Sequence, residues 1–123
     1  MTHYHDVLKD LREPARSLRK AAPEVFAAFG DLHQRAVAEG EVPVRLKEAA
    51  ALAIAVVKHC DGCIAHHARA AARAGATPGE VAEMLGLALL MDGGPATTWA
   101  PRAWDAFCEF SEEFARPEIG AVS

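Results

Sequence analysis

Two cysteines and three histidines lie within ten residues, in the segment KHCDGCIAHH from Lys58 to His67. Cys60 and Cys63 are separated by two residues, and His66 and His67 follow within one helical turn. Thiols at this spacing are typical of redox-active pairs and of metal sites, because a helix brings side chains at i and i+3 together. The segment therefore predicts thiol–disulfide chemistry or zinc binding.

Helical geometry through this segment places three of its side chains on one face. Relative to Cys60, Cys63 lies about 60° around the axis, His67 about 20° and His66 roughly 120°. His67 is thus the better partner for Cys63. A thiolate is favoured by a helix N-terminus and by a neighbouring base. We expect Asp61 to cap the helix, His67 to accept the Cys63 proton, and Cys60 to form a disulfide with the oxidised sulfur.

Glu48 is an acidic residue at the start of the apolar segment AAALAIAVV. A buried carboxylate is costly unless it is paired, and a histidine of the adjacent antiparallel helix is a suitable partner. Glu48 would lie roughly 16 Å below the helix corner and His67 roughly 10 Å below it. Helix tilt, the length of the glutamate side chain or a bridging water must close this gap to give a Glu48–His67–Cys63 relay.

Zinc binding is the main alternative to redox chemistry. Cys60, Cys63 and either His66 or His67 would supply three ligands, with His59 as the fourth. Structural zinc sites usually have a second ligand pair at a characteristic spacing, and this sequence has no second CxxC or HxxxH. The pattern therefore favours a redox pair without a metal or another cofactor.

Six segments have helical periodicity and none has sustained period-2 alternation, which predicts an all-α subunit of about six helices. Thr77 and Glu80 form a capping-box signature at the start of one helix. The third and fourth helices should form an antiparallel pair with the CxxC at its corner. We predict helices over about 6–20, 23–40, 43–59, 61–75, 78–93 and 95–115, with a break at Pro14 and a loose tail after them.

The bulk composition predicts a single globular domain over residues 1–123. Hydrophobic residues make up 51% and charged residues 24%, and the net charge is −4 without a basic cluster. These values exclude a nucleic-acid or anionic-membrane footprint. The longest apolar run, residues 49–57, is too short to span a membrane. Because the N-terminal segment lacks a secretory-signal pattern, we expect a cytoplasmic protein.

The remaining candidate residues are assigned non-catalytic roles. Cys108 is predicted to be a buried thiol, because it stands among aromatic residues at helical spacing. Many of the apolar residues are alanines, which fill little volume, so the core could need subunit partners. We assign Trp99, Trp104, Phe107 and Phe110 to core or interface, His3, His5 and His33 to the surface, and no catalytic role to His59 and His66.

The spacing E-x11-C-x-x-C-x-x-x-H, from Glu48 through Cys60 and Cys63 to His67, resembles the alkylhydroperoxidase D-like branch of the carboxymuconolactone decarboxylase family. The segment GGPATTWAPRA, residues 93–103, is similar to that family's helix break and last helix, and the resemblance covers residues 26–114. It implies a homotrimer or homohexamer with the site near an interface. It also implies a thiol peroxidase that reduces small alkyl hydroperoxides with electrons from a dithiol, such as a lipoylated protein.

The resemblance assigns roles to the four residues. Cys63 would attack the peroxide, Cys60 would be the resolving and more accessible thiol, and Glu48 and His67 would form the proton relay. Gly62 stands where some members have a histidine, which removes one relay group. Members of the decarboxylase type lack the CxxC. The alternatives are a carboxymuconolactone decarboxylase-like enzyme acting on a small lactone, and a non-catalytic or redox-sensing helical oligomer.

Overall fold

The computed structural model describes residues 2–115, which form six α-helices and no strand. The all-α prediction is confirmed. The tail after residue 115, which we expected to be loose, lies outside the described residues. The helices are α1 (His3–Ala21), α2 (Pro23–Val37), α3 (Val44–Val57), α4 (Asp61–Ala74), α5 (Pro78–Asp92) and α6 (Ala96–Ala115).

Local sequence signals set several helix ends as predicted. Thr77 Oγ1 accepts a hydrogen bond from the Glu80 backbone N–H at 3.1 Å, and the Thr77 N–H donates to Glu80 Oε1 at 3.0 Å. This capping box starts α5. Gly75 ends α4 with a φ of 90°, a left-handed conformation that glycine adopts without a Cβ clash.

Two predicted helix boundaries are wrong. α1 continues through Pro14, because this residue lies on an exposed stretch where water can satisfy the backbone carbonyl that proline leaves unbonded. α2 ends at Val37 rather than near Gly40, because Ala38 turns to φ −59° and ψ 154°. Lys47 Nζ donates to the carbonyls of residues 36 and 38 at 3.1 and 2.8 Å, which satisfies this helix end.

The α3–α4 pair lies at the centre of the fold, packed against α5 and α6. The facing positions are mostly alanine, and small side chains let helix backbones approach closely. The close approach fixes the two helices that contain Glu48 and the CxxC segment. Within residues 2–115, no helix has the length and apolarity needed to cross a membrane. The buried apolar side chains of the pair are Ala49, Leu52, Ala53, Ala55 and Val56 of α3, and Ile64, Ala65, Ala68 and Ala71 of α4.

The first turn of α1 is fixed to α6 by a buried carboxylate. Glu109 accepts hydrogen bonds from the backbone N–H groups of Tyr4 and His5 at 3.2 and 2.8 Å. The His5 ring contacts Glu109 through Nδ1 and Glu113 through Nε2. His5 was predicted to be a surface residue, and its side chain is indeed 39% exposed, but both of its ring nitrogens are paired.

These contacts shift two pKa values in opposite directions. Burial alone would lower the pKa of His5, but hydrogen bonds to Glu109 and Glu113 and their charges outweigh it and raise the pKa. Burial alone would raise the pKa of Glu109, but His5 and the two backbone N–H donors lower it. The protonated histidine and the ionised carboxylate therefore stabilise the attachment of α1 together.

The attachment of α1 to α6 through His5 and Glu109 predicts that the free energy of unfolding depends on pH. The His5 contribution is complete below the ordinary histidine pKa of 6.5 and is lost as the pH rises through the raised folded value. The Glu109 contribution is present above 4.5 and is lost as the pH falls through the lowered folded value. We expect His5→Gln to lower the free energy of unfolding most between about pH 4.5 and 6.5, and less at about pH 9.

Urea unfolding of wild type and His5→Gln at several pH values measures this difference. His3→Gln is the matched control, since His3 is an exposed residue of the same helix. Because His5 is partly exposed, its ion pairs should contribute no more than about 1 kcal/mol. A difference in free energy of unfolding that stays constant with pH would contradict the protonated His5 pair.

Candidate redox site

Cys60 and Cys63 lie at the corner between α3 and α4 and are joined as a disulfide, with their Cα atoms 5.2 Å apart. Cys60 is the N-cap of α4, and its Sγ accepts a hydrogen bond from the Cys63 backbone N–H at 3.2 Å. The prediction that Asp61 caps this helix is wrong. Asp61 is the first helical residue, and its carboxylate accepts a hydrogen bond from the Tyr4 hydroxyl at 3.2 Å.

The cap geometry adds a hydrogen-bond donor at Cys60. The backbone N–H of Cys63 at the start of α4 is directed to Cys60 Sγ. An N–H donor and the positive end of the helix dipole both favour a thiolate at Cys60. Cys63 lies in the first turn of the same helix, and the action of the helix N-terminus and of His67 on it stays a prediction.

The accessibility of the two cysteines also differs from the expectation. Cys63 is exposed in this chain, whereas Cys60, expected to be the more accessible, is half-buried. α1 lies close to the corner: a Cβ added at Gly62 would lie 3.0 Å from Leu11 Cδ1. A larger side chain at this position would require the Leu11 side chain to shift.

The Glu48 carboxylate and the His67 ring form a direct hydrogen bond. Glu48 is 4% exposed, and its Oε1 lies 2.7 Å from His67 Nδ1. The close packing of α3 on α4 therefore brings the two side chains into contact without a bridging water. A carboxylate that accepts from Nδ1–H holds the proton on that nitrogen and leaves the Nε2 lone pair free to act as a base.

His67 and Cys63 line the same pocket, which has a volume of about 180 Å³. Its other walls are Lys58, Ile54, Ala51 and Ala55. The pocket therefore combines a base, a thiol and a cationic amine with an apolar wall, which suits a small molecule with an apolar tail. Lys58 is a site residue that the sequence analysis did not identify, because a lysine at a helix end has no distinctive spacing.

A third side chain approaches the Glu48–His67 pair. His33 of α2 lies with its ring centroid 6.1 Å from that of His67 and 5.5 Å from that of His66. It is only partly exposed, so its assignment to the surface is wrong. The signal was present in the sequence, because His33 falls on the same helical stripe as Phe26 and Phe29. One donor atom from each of His33, Glu48 and His67 lies within 4.8 Å of the other two.

The neighbouring histidines have other environments. Desolvation, reinforced by His67 and His33, lowers the pKa of His66, which keeps its ring neutral near pH 7. His59 has a left-handed φ of 54° at the corner, and its Nε2 contacts Asp92 at 2.9 Å. Its ring stacks on Trp99 at 5.2 Å. The zinc ligand set considered above is therefore not assembled, since the cysteines are bonded to each other and His59 is paired elsewhere.

Cys108 is exposed, so the prediction of a buried thiol is wrong. The inner face of α6 is formed by alanines 103 and 106 with Phe107 and Phe110, and Cys108 projects from the other side. Trp104 is also exposed, at 37%, whereas Trp99 packs against the core. Partial desolvation by neighbouring groups raises the pKa of Cys108, and Asp105 and Glu112 raise it further, so this thiol is a weak nucleophile.

The fold and the CxxC corner define the class to which the chain belongs. A model of the carboxymuconolactone decarboxylase family matches residues 23–106, and the chain is a member of this family. The match includes α2 to α5 and the first half of α6, and so all the residues described above as lining the site.

Individual relatives extend the match over most of the chain. An uncharacterised protein of Cupriavidus necator is 34% identical over 96 residues, which are 78% of this chain and 85% of the relative. Uncharacterised protein 4 in the cox locus of Paracoccus denitrificans is 33% identical over 84 residues, 68% of this chain and 76% of the relative. The apo crystal structure of a carboxymuconolactone decarboxylase family protein from Legionella pneumophila superposes with a TM-score of 0.86 at 37% identity, covering 90% of this chain and 99% of that one.

Proposed function

We propose that the protein is a CxxC-dependent thiol peroxidase and disulfide oxidoreductase that reduces alkyl hydroperoxides. The observation that supports this function best is the direct Glu48–His67 hydrogen bond at a pocket that His67 shares with Cys63. Membership of the carboxymuconolactone decarboxylase family and the Cys60–Cys63 disulfide agree with it. We place the reaction in the cytoplasm, where dithiols are kept reduced.

The first half of the reaction takes place at Cys63. His67 Nε2 accepts the thiol proton, and the thiolate attacks one peroxide oxygen. The S–O bond forms as the O–O bond breaks, which gives a Cys63 sulfenic acid and an alkoxide. The protonated His67 returns the proton to the alkoxide and releases the alcohol. Glu48 stabilises the imidazolium that exists between these two proton transfers.

The second half forms and then reduces the disulfide. The Cys60 sulfur attacks the sulfenic sulfur, the S–S bond forms, and water leaves. A donor dithiol, such as a lipoylated protein, then attacks the exposed Cys63 sulfur, and Cys60 leaves as a thiolate favoured by the Cys63 N–H. A low-pKa thiol is the better leaving group in such an exchange. Each cycle converts one hydroperoxide and one dithiol into one alcohol, one water and one disulfide.

The test is hydroperoxide consumption by the reduced protein with dihydrolipoamide as the donor. We expect catalytic turnover with one dithiol oxidised per hydroperoxide, and no turnover without the donor. A protein that forms the Cys60–Cys63 disulfide once but does not turn over would instead be a redox-sensing oligomer. Activity on a small lactone with both cysteines blocked would favour a carboxymuconolactone decarboxylase-like enzyme.

We further propose that the subunit assembles into a homotrimer or homohexamer. α2 buries none of its residues in the chain, and Val25, Phe29 and Leu32 are each more than 60% exposed. Leu90 and Met91 of α5 are exposed at 75 and 78%. Apolar patches of this kind usually mark protein–protein contacts. Ile54, 60% exposed, also lines the Cys63 pocket, so this assembly would place the site near a subunit interface.

Light scattering of the full chain tests the assembly. We expect a mass three or six times the subunit mass of 13.1 kDa at micromolar concentration. Leu90→Glu should shift the protein toward smaller species, since a buried unpaired charge is costly at an interface. Ser17→Glu, a substitution at an exposed position of α1, should leave the mass of the assembly unchanged. A wild-type protein that stays monomeric would exclude this proposal.

A further inference from the structure

The donor atoms that meet beside the cysteines come from three different helices. His33 of α2, Glu48 of α3 and His67 of α4 each place one ring nitrogen or carboxylate oxygen within 4.8 Å of the other two. We propose that these three side chains form a binding site for one divalent transition-metal ion, with zinc as the ion that best fits the donors. Sequence spacing does not indicate these three residues as one set, because 34 residues separate His33 from His67.

The spacing of the donors is close to that of a metal centre. Zinc binds imidazole nitrogen at about 2.0–2.1 Å and carboxylate oxygen at about 2.0–2.2 Å, so donors around one ion stand about 3–4 Å apart. Glu48 Oε1 and His67 Nδ1 are 2.7 Å apart and would separate slightly. His33 must approach the other two donors by up to about 2 Å to reach this spacing.

The relay proposed above leaves one observation at this site unexplained. His33 Nε2 is enclosed, and among residues 2–115 it has no hydrogen-bond partner. Buried polar atoms are rarely left unpaired, because each loses its hydration without compensation. The buried Glu48 carboxylate is a second group that a cation would stabilise. A metal ion bound through His33 Nε2 and the Glu48 carboxylate would satisfy both groups.

The chemistry of the donors selects the kind of ion. Two imidazoles and one carboxylate suit zinc and neighbouring transition metals, whereas magnesium and calcium prefer an all-oxygen shell. One carboxylate against a divalent ion leaves a local charge of +1. Three protein ligands also leave a coordination position open for water or a small anion, as in catalytic rather than structural zinc sites. The site shares Glu48 and His67 with the relay but does not depend on a peroxidase function.

Zinc titration of the tag-free Cys60→Ser/Cys63→Ser/Cys108→Ser chain tests the site without thiol ligands or thiol chemistry. Competition with a chromophoric chelator measures the affinity, and circular dichroism checks the fold of each variant. We expect one zinc ion per chain and at least a tenfold loss of affinity with His33→Ala, since removing even an outer-shell partner costs about 10–100-fold. Glu48→Gln, which keeps the shape of the side chain, should weaken binding at least as much.

His66→Ala in the same background is the matched control. Its ring lies 5.5 Å from His33 and 5.1 Å from His67 but is not among the three donors. We expect its zinc affinity to stay within about threefold of the parent. The proposal is overturned if the parent shows no saturable binding tighter than about 100 μM. Equal losses for His66→Ala and His33→Ala would also overturn it. Neither outcome would bear on peroxide turnover, which is measured on the wild-type cysteines.

Discussion

Replacing Cys63 by serine should abolish hydroperoxide turnover, with a loss of at least about a thousandfold. The hydroxyl of serine keeps the size of the side chain but is not ionised by a histidine at neutral pH, so neither the S–O bond nor the disulfide forms. Loss of a nucleophile costs as much as loss of its whole catalytic unit. Steady-state consumption of an alkyl hydroperoxide with dihydrolipoamide measures the effect.

Cys60→Ser should behave differently when the reduced variant meets the hydroperoxide with no donor dithiol present. Cys63 remains able to attack, so the reduced variant should consume one equivalent of hydroperoxide and then stop with a sulfenic acid at Cys63. Dimedone labelling followed by mass spectrometry of the peptide detects this species. A burst of hydroperoxide consumption in Cys63→Ser, with none in Cys60→Ser, would reverse the assigned roles of the two thiols. The test is strict because the N–H directed to Cys60 favours a thiolate at that residue as well.

Cys108→Ser is the control for both thiol variants. Cys108 is exposed, but partial desolvation and two nearby carboxylates raise its pKa, so it should react slowly with peroxide. We expect wild-type turnover from this variant. Peroxide oxidation of wild type should remove two hydrogens from the peptide that contains Cys60 and Cys63, while Cys108 remains a thiol.

Glu48→Gln and His67→Gln should each lower turnover by at least roughly tenfold. General acid–base groups contribute about 10²–10⁴-fold, and water can replace part of that contribution. The double variant should lose less than the product of the two single effects, because Glu48 acts through His67 and the two serve one proton transfer. Glutamine keeps a hydrogen-bonding group at position 48, so the fold should be retained.

Alkylation rates against pH provide the second measurement for the relay. In a Cys60→Ser background only Cys63 reports on the pocket, and its rate at neutral pH should fall in both relay variants. A chelator in the buffer removes any metal contribution. His66→Gln is the matched control, since His66 neighbours His67 but makes no hydrogen bond to Glu48. If both relay variants react like the parent, Glu48 and His67 have no role in thiolate formation.

The helices themselves were largely determined by local sequence. The Thr77–Glu80 capping box, Pro23 and Pro78 at helix starts, and Gly75 at a helix end act within one turn, so their effects can be predicted without tertiary contacts. The continuation of α1 through Pro14 could not be predicted in this way. Whether proline ends a helix depends on whether solvent can satisfy the freed carbonyl, which is a property of the folded surface.

The sequence also determined the Cys60–Cys63 pair, because three residues of helix bring both sulfurs to the same corner. It indicated Glu48 and His67 as partners, since a carboxylate at the edge of an apolar segment needs one. It left open how they meet. The alanine faces of α3 and α4 decided this, because small side chains allow the close approach that gives a direct 2.7 Å contact.

Only the tertiary structure decided which groups surround these residues. The position of Tyr4 made Asp61 a hydrogen-bond partner and left the cap to Cys60. The fold leaves Cys63 exposed and Cys60 half-buried, the reverse of the expected accessibility. His33 joins the site because α2 lies beside α3. This position brings the His33 ring close to that of His67, a residue far from it in the chain. Sequence spacing specifies neighbours within one helix, whereas the distances between helices are set by packing of the whole chain.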